Sequence, residues 1–233
     1  MADLRVGWGV SMTTAVARRD DAGCSSSAVV AYRLRDAVYL NLTNRCTLRC
    51  RFCPKFHGLW TVGEARLRLR TADEPSVATV IQAARAQGPC TEYVFCGLGE
   101  PTTRWPVLLA VAAALRAEGR PIRLNTDGLA SLVHGRDVAP ELAGLVDHVS
   151  ISLNAADERT YVRLCRPSRA GSYAALLAFA ARCRAFVPRV TLTAIAGLEG
   201  VDVDACARIA RELNVAFRAR PLESTDGGSF RVR

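Results

Sequence analysis

Three cysteines follow a short apolar run in the stretch Tyr39-Leu40-Asn41-Leu42-Thr43-Asn44-Arg45-Cys46-Thr47-Leu48-Arg49-Cys50-Arg51-Phe52-Cys53-Pro54. The run predicts a strand, so the cysteines lie in the loop at its carboxyl end, where parallel α/β folds bind ligands. Soft thiolates select zinc, copper(I) or iron–sulfur clusters. Three thiolates leave one position open on a tetrahedral zinc ion or on a four-iron cluster, and His57 could complete a zinc site. We therefore expect Cys46, Cys50 and Cys53 to be metal ligands.

Outward from this loop, short β-branched runs alternate with Ala-, Leu- and Arg-rich helical stretches, which is typical of βα units around a parallel sheet. The predicted strands cover residues 38–43, 92–96, 122–126, 148–153, 189–195 and 215–220. The predicted helices lie near residues 74–87, 103–118, 137–144, 172–185 and 202–213. Six strands fall short of the eight in a closed TIM barrel.

The later strands separate polar from apolar side chains, because residues two apart point to the same face. Ser150, Ser152 and Asn154 share one face of their strand, and the residues between them are apolar. The next two strands place polar side chains in the same way, at Thr191, Thr193, Arg218 and Arg220. One polar face favours an open, incomplete (β/α)6 TIM-like barrel over a doubly wound sheet, whose strands are apolar on both faces.

The composition bounds the remaining organisation. The chain has 233 residues and a net charge of +9, from 31 basic and 22 acidic residues, and this charge attracts anions without selecting among them. We predict a partly disordered N-terminal extension over residues 1–36, a core domain over 37–221 and a flexible tail over 222–233. No apolar run approaches the roughly 18 residues of a membrane span, and the N-terminus lacks the apolar core of a signal peptide. The sequence therefore predicts a cytoplasmic protein.

Two further motifs follow the next strands. Cys96-Gly97-Leu98-Gly99-Glu100-Pro101 comes after the second predicted strand, and Leu124-Asn125-Thr126-Asp127-Gly128 ends the third. With CxxxCxxC and the aromatic Phe52 before the third cysteine, these motifs resemble the radical S-adenosylmethionine (SAM) superfamily. The resemblance spans roughly residues 38 to 220. It implies a [4Fe-4S] cluster on the three cysteines, with the fourth iron open for SAM, so that His57 stays off the metal.

The resemblance also implies which residues contact SAM. The glycine-rich segment would bind the amino group, Phe52 and the segment after the fifth strand would lie near the adenine, and polar strand ends would contact the ribose. Arg166 either holds a carboxylate of SAM or substrate or belongs to a solvated helix face. The cofactor-binding residues expected on this basis are Phe52, Gly97, Gly99, Glu100, Asn125, Ser152, Asn154, Arg166, Ile195 and Gly197. The cysteines expected to be small buried apolar residues are Cys24, Cys90, Cys165, Cys183 and Cys206.

Within the superfamily the motifs most resemble the TatD-linked radical SAM proteins. The resemblance implies reductive cleavage of SAM to methionine and a 5′-deoxyadenosyl radical, which abstracts hydrogen from an unidentified substrate. It also implies an external electron donor such as flavodoxin or ferredoxin, and an association with a TatD-type hydrolase. A glycyl-radical activating enzyme and a 7-carboxy-7-deazaguanine synthase-like enzyme stay open as variants. The alternative of another class is a zinc-stabilised, basic nucleic-acid-binding module without catalysis, which the scattered aromatic residues disfavour.

Overall fold

The computed structural model describes residues 28–222, so most of the predicted extension and of the predicted tail lies outside the described residues. The strands are β1 (Ala31–Leu34), β2 (Ala37–Leu40), β3 (Thr61–Val62), β4 (Ala65–Arg66), β5 (Glu92–Phe95), β6 (Ile122–Thr126), β7 (His148–Ser152), β8 (Arg189–Ala196) and β9 (Ala216–Pro221). The α-helices are α1 (Val77–Ala86), α2 (Trp105–Arg116), α3 (Ala130–His134), α4 (Glu158–Cys165), α5 (Ser172–Cys183) and α6 (Val203–Glu212). Short 3-10 helices cover Pro54–His57, Thr71–Asp73, Pro101–Arg104 and Ala139–Leu142. None of these helices has the length and apolar character to span a bilayer.

Seven strands form one sheet in the order β1-β2-β5-β6-β7-β8-β9, and β3 pairs with β4 in a separate hairpin. β1 runs antiparallel to β2, whereas β2 and β5 to β9 are all parallel. The six parallel strands are the ones that the sequence predicts, and their order in the sheet follows the chain without reversal. A doubly wound sheet would reverse its order at a switch point. The predicted incomplete (β/α)6 arrangement is therefore confirmed.

The two faces of the sheet differ as the alternation of the sequence predicts. Val149 and Ile151 of β7 are fully buried, and they belong to a core that includes residues of the helices. On the opposite face Thr191 and Thr193 are buried despite their hydroxyl groups. The ring Nε2 of His148 lies 2.9 Å from Thr191 Oγ1, and Thr193 Oγ1 donates to Ile151 O at 3.4 Å. These partners offset the cost of burying polar groups.

Strand β1 corrects the predicted domain boundary. The sequence assigns residues 31–34 to the N-terminal extension, but they pair with the whole of β2, from Ala31 opposite Leu40 to Leu34 opposite Ala37. Their connecting turn uses Arg35 at φ 55° and carries neither glycine nor asparagine, the residues that usually mark such turns. A boundary at residue 36 therefore divides a β-hairpin.

Two of the helical predictions also change. The helix predicted at 137–144 is a 3-10 helix of four residues, Ala139–Leu142, with Pro140 in its first turn. Helix α4, which is absent from the predicted helices, begins after Asp157, whose side chain accepts a hydrogen bond from Thr160 N at 2.8 Å. This cap satisfies a free N–H of the first turn and explains why a short polar segment is helical.

Candidate active site

The cysteine loop, residues 41–53, leaves the carboxyl end of β2. The predicted ligands Cys46, Cys50 and Cys53 are free thiols, and all three are partly exposed. Leu48 N donates to the sulfur of Cys46 at 3.4 Å, and Cys53 N donates to Cys50 O at 3.1 Å. Burial raises the pKa of the Cys46 and Cys53 thiols, so both are protonated at neutral pH in the free protein. A bound metal must displace these protons.

Main-chain hydrogen bonds hold the cysteine loop against the segment that ends helix α4. Leu48 and Pro167 form an antiparallel bridge at the centre of this contact. The bonds around it join Arg49 N to Arg166 O (3.2 Å), Ser168 N to Thr47 O (3.0 Å) and Arg51 N to Leu164 O (2.8 Å). The backbone of the three cysteines is therefore fixed by the protein itself.

The glycine-rich loop after β5 packs directly on the cysteine loop. A Cβ on Gly99 would lie 2.2 Å from Thr43 O and 2.7 Å from Arg45 O, and a Cβ on Gly97 would lie 2.4 Å from Asn41 Oδ1. Glu100 N donates to Arg45 O at 2.7 Å. The backbone of the cysteine loop thus excludes a side chain at Gly99, whereas a side chain at Gly97 would require the Asn41 side chain to move. The contact of both glycines with SAM stays a prediction.

The side chain of Glu100 is engaged within the protein. Its Oε1 accepts hydrogen bonds from Thr102 N at 3.0 Å, from Thr102 Oγ1 at 2.8 Å and from Thr126 Oγ1 at 2.9 Å. Its Oε2 accepts from Asp127 N at 2.7 Å. Burial and the neighbouring Asp127 carboxylate raise the pKa of Glu100 to about 8. The structure therefore gives the Glu100 side chain a bracing role, and it leaves the predicted contact with SAM to the backbone of this segment.

Asp127, directly after β6, extends this brace to the cysteine loop. Thr47 Oγ1 donates to Asp127 Oδ2, and Leu129 N donates to Asp127 Oδ1 at 2.9 Å. Burial raises the pKa of Asp127 as well, and a hydrogen bond joins its carboxyl to that of Glu100. Loops from three strands, β2, β5 and β6, are tied together through these two carboxyl groups.

Three predicted contact residues lie at the carboxyl ends of β6 and β7. Asn125 lies beside Cys96 and lowers the pKa of its thiol against the larger effect of burial, and the Oδ1 of Asn125 is buried and has no partner among the described residues. Asn154 is 3 % exposed, has a left-handed backbone at φ 54°, and its Oδ1 also has no partner within residues 28–222. Ser152 ends β7 and is half-buried. Since unpaired buried acceptors are costly, the two amide oxygens mark positions where a ligand could donate.

The other predicted contacts are less closely grouped. Ile195 is buried in β8, and Phe52 is half-buried against the core. Gly197 is exposed at φ 83° with open space around it, so its glycine serves the turn rather than a close approach. Arg166 caps helix α4 at φ 47° and is exposed. Its exposure favours the solvated helix end over a guanidinium that faces the cofactor.

The three thiols are soft donors of the kind that bind iron–sulfur clusters. Within residues 28–222, no three His, Cys, Asp or Glu side chains converge on a point that one metal ion could occupy. His57 Nε2 lies 2.7 Å from Arg51 O, and Lys55 Nζ donates to Asn44 O at 3.0 Å. In a [4Fe-4S] cluster each cysteine binds a different iron, so the sulfurs need not converge. Cys46, Cys50 and Cys53 are the residues that would hold the cluster.

Sequence reasoning missed several residues of this site. Thr47 and Asp127 connect loops that are far apart in the chain, and the motif over residues 124–128 does not predict this connection. Tyr161 and Cys165 of α4 are fully buried beside the cysteine loop, and Cys165 raises the pKa of the Cys50 thiol. Glu100 and Asp127 each follow a predicted strand by a few residues, and this placement could have indicated that their carboxyl groups meet. No local sequence pattern could have placed Cys165 opposite Cys50.

Comparison with known proteins identifies one family. The model of the radical SAM superfamily matches residues 40–213. GTP 3',8-cyclase of Mycolicibacterium smegmatis is 31% identical over 186 residues, which are 79% of this chain and 48% of that protein. The corresponding enzyme of Corynebacterium glutamicum is 30% identical over 177 residues, which are 73% of this chain and 45% of that protein. The chain thus spans about half the length of these curated relatives.

Solved structures share the fold at low sequence identity. The SAM-bound structure of SuiB from Streptococcus suis has a TM-score of 0.59 and 13% identity, covering 85% of this chain and 43% of that one. A TYW1 structure with a lysine-pyruvate adduct bound has a TM-score of 0.59 and 12% identity, covering 83% of this chain and 67% of that one. The family match confirms the predicted cofactors of such enzymes, a [4Fe-4S] cluster and SAM. The chain belongs to the radical SAM superfamily.

Proposed function

We propose that this chain binds a [4Fe-4S] cluster and SAM, cleaves SAM reductively, and abstracts hydrogen from a substrate that is not yet identified. One observation carries the proposal. Three free thiols lie in a single loop at the carboxyl end of a parallel sheet. Main-chain hydrogen bonds to residues 164–168 hold the backbone of this loop. The unpartnered oxygens of Asn125 and Asn154 belong to the neighbouring strand ends.

The protein residues hold and orient the cofactors. Cys46, Cys50 and Cys53 bind the cluster, and the ring of His57 stays with the Arg51 carbonyl. When bound, the cluster and SAM supply one electron and a 5′-deoxyadenosyl radical. The amide oxygens of Asn125 and Asn154 accept hydrogen bonds from SAM. Ile195, buried in β8, contributes apolar surface near the adenine and helps to exclude water.

A purine nucleoside triphosphate is our candidate substrate class, because relatives at 30–35% identity are named GTP 3',8-cyclase. The polar face of the sheet supports an anionic substrate. Arg218 is the register neighbour of Thr193, and it belongs to the cations that, after burial, lower the pKa of His148 to about 4. His148 is therefore neutral at neutral pH, and the positive charge on this face comes from arginine.

The physiological context belongs to the proposal as well. We expect a flavodoxin or ferredoxin as the electron donor and a cytoplasmic setting. Membership of the TatD-linked group, with a TatD-type hydrolase as partner, rests on the motif resemblance alone. Co-purification with a tagged hydrolase would test the partnership.

Anaerobic reconstitution tests the core of the proposal. The protein is loaded with iron and sulfide, reduced with dithionite in the presence of SAM, and analysed for 5′-deoxyadenosine. We expect the product with the wild-type chain and with Cys183→Ala, a fully buried cysteine of α5. Cys50→Ala should lose both the cluster and the product. Zinc binding without 5′-deoxyadenosine, in parallel with an active radical SAM enzyme, would contradict the proposal.

The substrate class is tested with GTP in the same assay. We expect GTP to be consumed and to increase the yield of 5′-deoxyadenosine above that of SAM alone. Arg218→Ala should weaken the response to GTP and leave the basal cleavage of SAM unchanged. If GTP is not consumed and does not change the yield of 5′-deoxyadenosine, and inorganic triphosphate has no effect either, a nucleoside triphosphate is not the substrate of this chain.

A further inference from the structure

Helix α4 presents two buried polar side chains to the cysteine loop. Tyr161 and Cys165 are four residues apart, so they lie on the same face of the helix. Both are fully buried. The main-chain bonds between the cysteine loop and residues 164–168 bring this face against the predicted cluster ligands.

Cys165 lies opposite Cys50. Arg51 N donates to Leu164 O at 2.8 Å, and Arg49 N donates to Cys165 O at 3.0 Å. Because bonds on both sides of Cys50 reach the carbonyls of Leu164 and Cys165, the end of helix α4 lies directly against Cys50. The two thiols are close enough for Cys165 to raise the pKa of the Cys50 thiol. Cys165 is thus a direct neighbour of a predicted ligand rather than only a small buried apolar residue.

A hydrogen bond between the two thiols would have one possible direction once a metal is bound. A cysteine that binds iron does so as a thiolate and carries no proton. Cys50 can then only accept, and the S–H of Cys165 must be the donor. Hydrogen bonds to the sulfurs of an iron–sulfur cluster stabilise its more negative, reduced state and are among the factors that set its reduction potential.

The hydroxyl of Tyr161 is a second donor on the same face. It is buried and has no hydrogen-bond partner among the described residues. A buried donor without a partner costs stability. After burial, Cys165, Asp127, Cys50 and Cys46 all act electrostatically on this hydroxyl and raise its pKa. A sulfur of the bound cluster or of its ligands would satisfy it.

We infer that Cys165 and Tyr161 are positioning residues for the cluster: the Cys165 thiol donates a hydrogen bond to the sulfur of Cys50, and the Tyr161 hydroxyl donates to a sulfur of the bound cluster or its ligands. The inference rests on the proposed function, because it requires the cluster on Cys46, Cys50 and Cys53. It adds that helix α4 makes the cluster easier to reduce.

Redox titration followed by electron paramagnetic resonance tests the effect on the cluster. Tyr161→Phe and Cys165→Ala should each lower the midpoint potential, by up to a tenfold change in the reduction equilibrium, which is about 59 mV for a one-electron couple. Cys165→Ser retains a donor and should restore much of the wild-type potential. The matched controls are Tyr173→Phe, whose ring lies 5.5 Å from that of Tyr161, and Cys183→Ala.

Two measurements on the apoprotein are independent of the cluster. Tyr161→Phe should leave the free energy of unfolding unchanged or raise it, because it removes an unpaired buried donor. Diamide should trap a Cys50–Cys165 disulfide, detected by peptide mass spectrometry. In that reaction the two thiols lose two electrons and two protons, and the diazene is reduced to the hydrazine.

The outcomes separate the two proposals. Normal iron content with midpoint potentials equal to those of the controls would overturn the inference and leave the proposed function intact. Trapped disulfides confined to the cysteine loop would also overturn it, as would a loss of apoprotein stability in Tyr161→Phe larger than that in Tyr173→Phe. A chain that takes up no cluster would overturn the proposed function, and the inference with it.

Discussion

Gly99 is the residue at which the glycine-rich loop and the cysteine loop approach most closely. An added Cβ would meet only backbone atoms, namely Thr43 O at 2.2 Å, Arg45 O at 2.7 Å and Asn44 Cα at 2.8 Å. None of these can rotate away, so Gly99→Ala must displace the cysteine loop. We expect a loss of about 3 kcal/mol in the free energy of unfolding, at the upper end of overpacking effects. Urea denaturation and iron content after reconstitution would measure it.

Gly97→Ala is the matched control for that substitution. The Cβ at Gly97 would meet the side-chain Oδ1 of Asn41 at 2.4 Å, and a side chain can adjust. Its losses of stability and of iron should therefore be smaller than those of Gly99→Ala. Equal and wild-type iron content in both variants would show that the two loops do not depend on this contact.

The raised pKa of Glu100 leads us to expect that the free energy of unfolding falls with rising pH. Its pKa is about 8 in the folded chain, against an ordinary value of 4.5, because it is buried beside Asp127. The folded state therefore holds an extra proton between pH 4.5 and 8. The contribution of protonated Glu100 to the free energy of unfolding is complete below pH 4.5 and is lost as the pH rises through 8. Asp127, whose pKa is also raised, acts in the same direction.

Urea denaturation of the apoprotein from pH 5 to pH 8 tests this dependence. The free energy of unfolding of the wild-type chain should fall between pH 5 and pH 8. In Glu100→Gln it should depend less on pH, whatever its value at pH 5. Asp137→Asn is the control: this exposed carboxylate, paired with Arg182, has a lowered pKa and titrates below the range. A slope that survives in Glu100→Gln would assign the effect to another group.

At the scale of elements, the guanidinium of Arg33 helps to join β1 to the end of α1. Arg33 Nη1 donates to Gln87 O at 2.8 Å and to Pro89 O at 2.9 Å, and its Nη2 donates to Pro89 O at 2.8 Å. A lysine cannot reproduce this forked geometry. Arg33→Lys should lower the free energy of unfolding by about 1 kcal/mol, the usual net value of a hydrogen bond or two.

Thermal and urea unfolding would measure the effect of Arg33→Lys. Arg35→Lys is the control, because Arg35 is an exposed turn residue two positions along the same hairpin. An equal change in both variants would mean that the fork from β1 to the end of α1 adds nothing to stability.

The elements that the sequence predicts are those with a local signal. Short β-branched runs between helical stretches identify the six parallel strands, and the spacing of Cys46, Cys50 and Cys53 identifies the cysteine loop. β1 escapes because its turn uses Arg35 in place of glycine, and α4 escapes because it is short and polar. The contacts around the site escape for another reason. The pairing of Leu48 with Pro167 joins residues far apart in the chain, and no local pattern encodes such a partner.

At the scale of the whole molecule, the site is assembled from most of the parallel sheet. The cysteine loop after β2 packs on the loop after β5, is tied to the end of β6 through Asp127, and pairs with the segment after α4, which itself follows β7. A change at any one of these junctions reaches the three cysteines. The fold therefore couples cluster binding to the integrity of several strands.

SAM is expected to stabilise the whole barrel for the same reason. Its predicted contacts come from β5, β6, β7 and β8, so a bound SAM joins strands that are separated in the chain. A ligand that binds only the folded state adds about 2.7 kcal/mol at a concentration of 100 times its Kd. Thermal unfolding of the reconstituted protein, with and without SAM under anaerobic conditions, would measure this gain.

Cys50→Ala decides whether that gain depends on the cluster. The variant keeps the strands and the amide oxygens of Asn125 and Asn154, but it lacks a cluster ligand. If the open iron holds the amino-acid end of SAM, the variant should lose most of the thermal shift while Cys183→Ala keeps all of it. An equal shift in Cys50→Ala and the wild-type chain would mean that SAM binds away from the three cysteines, which would contradict the assignment of this loop as the cofactor site.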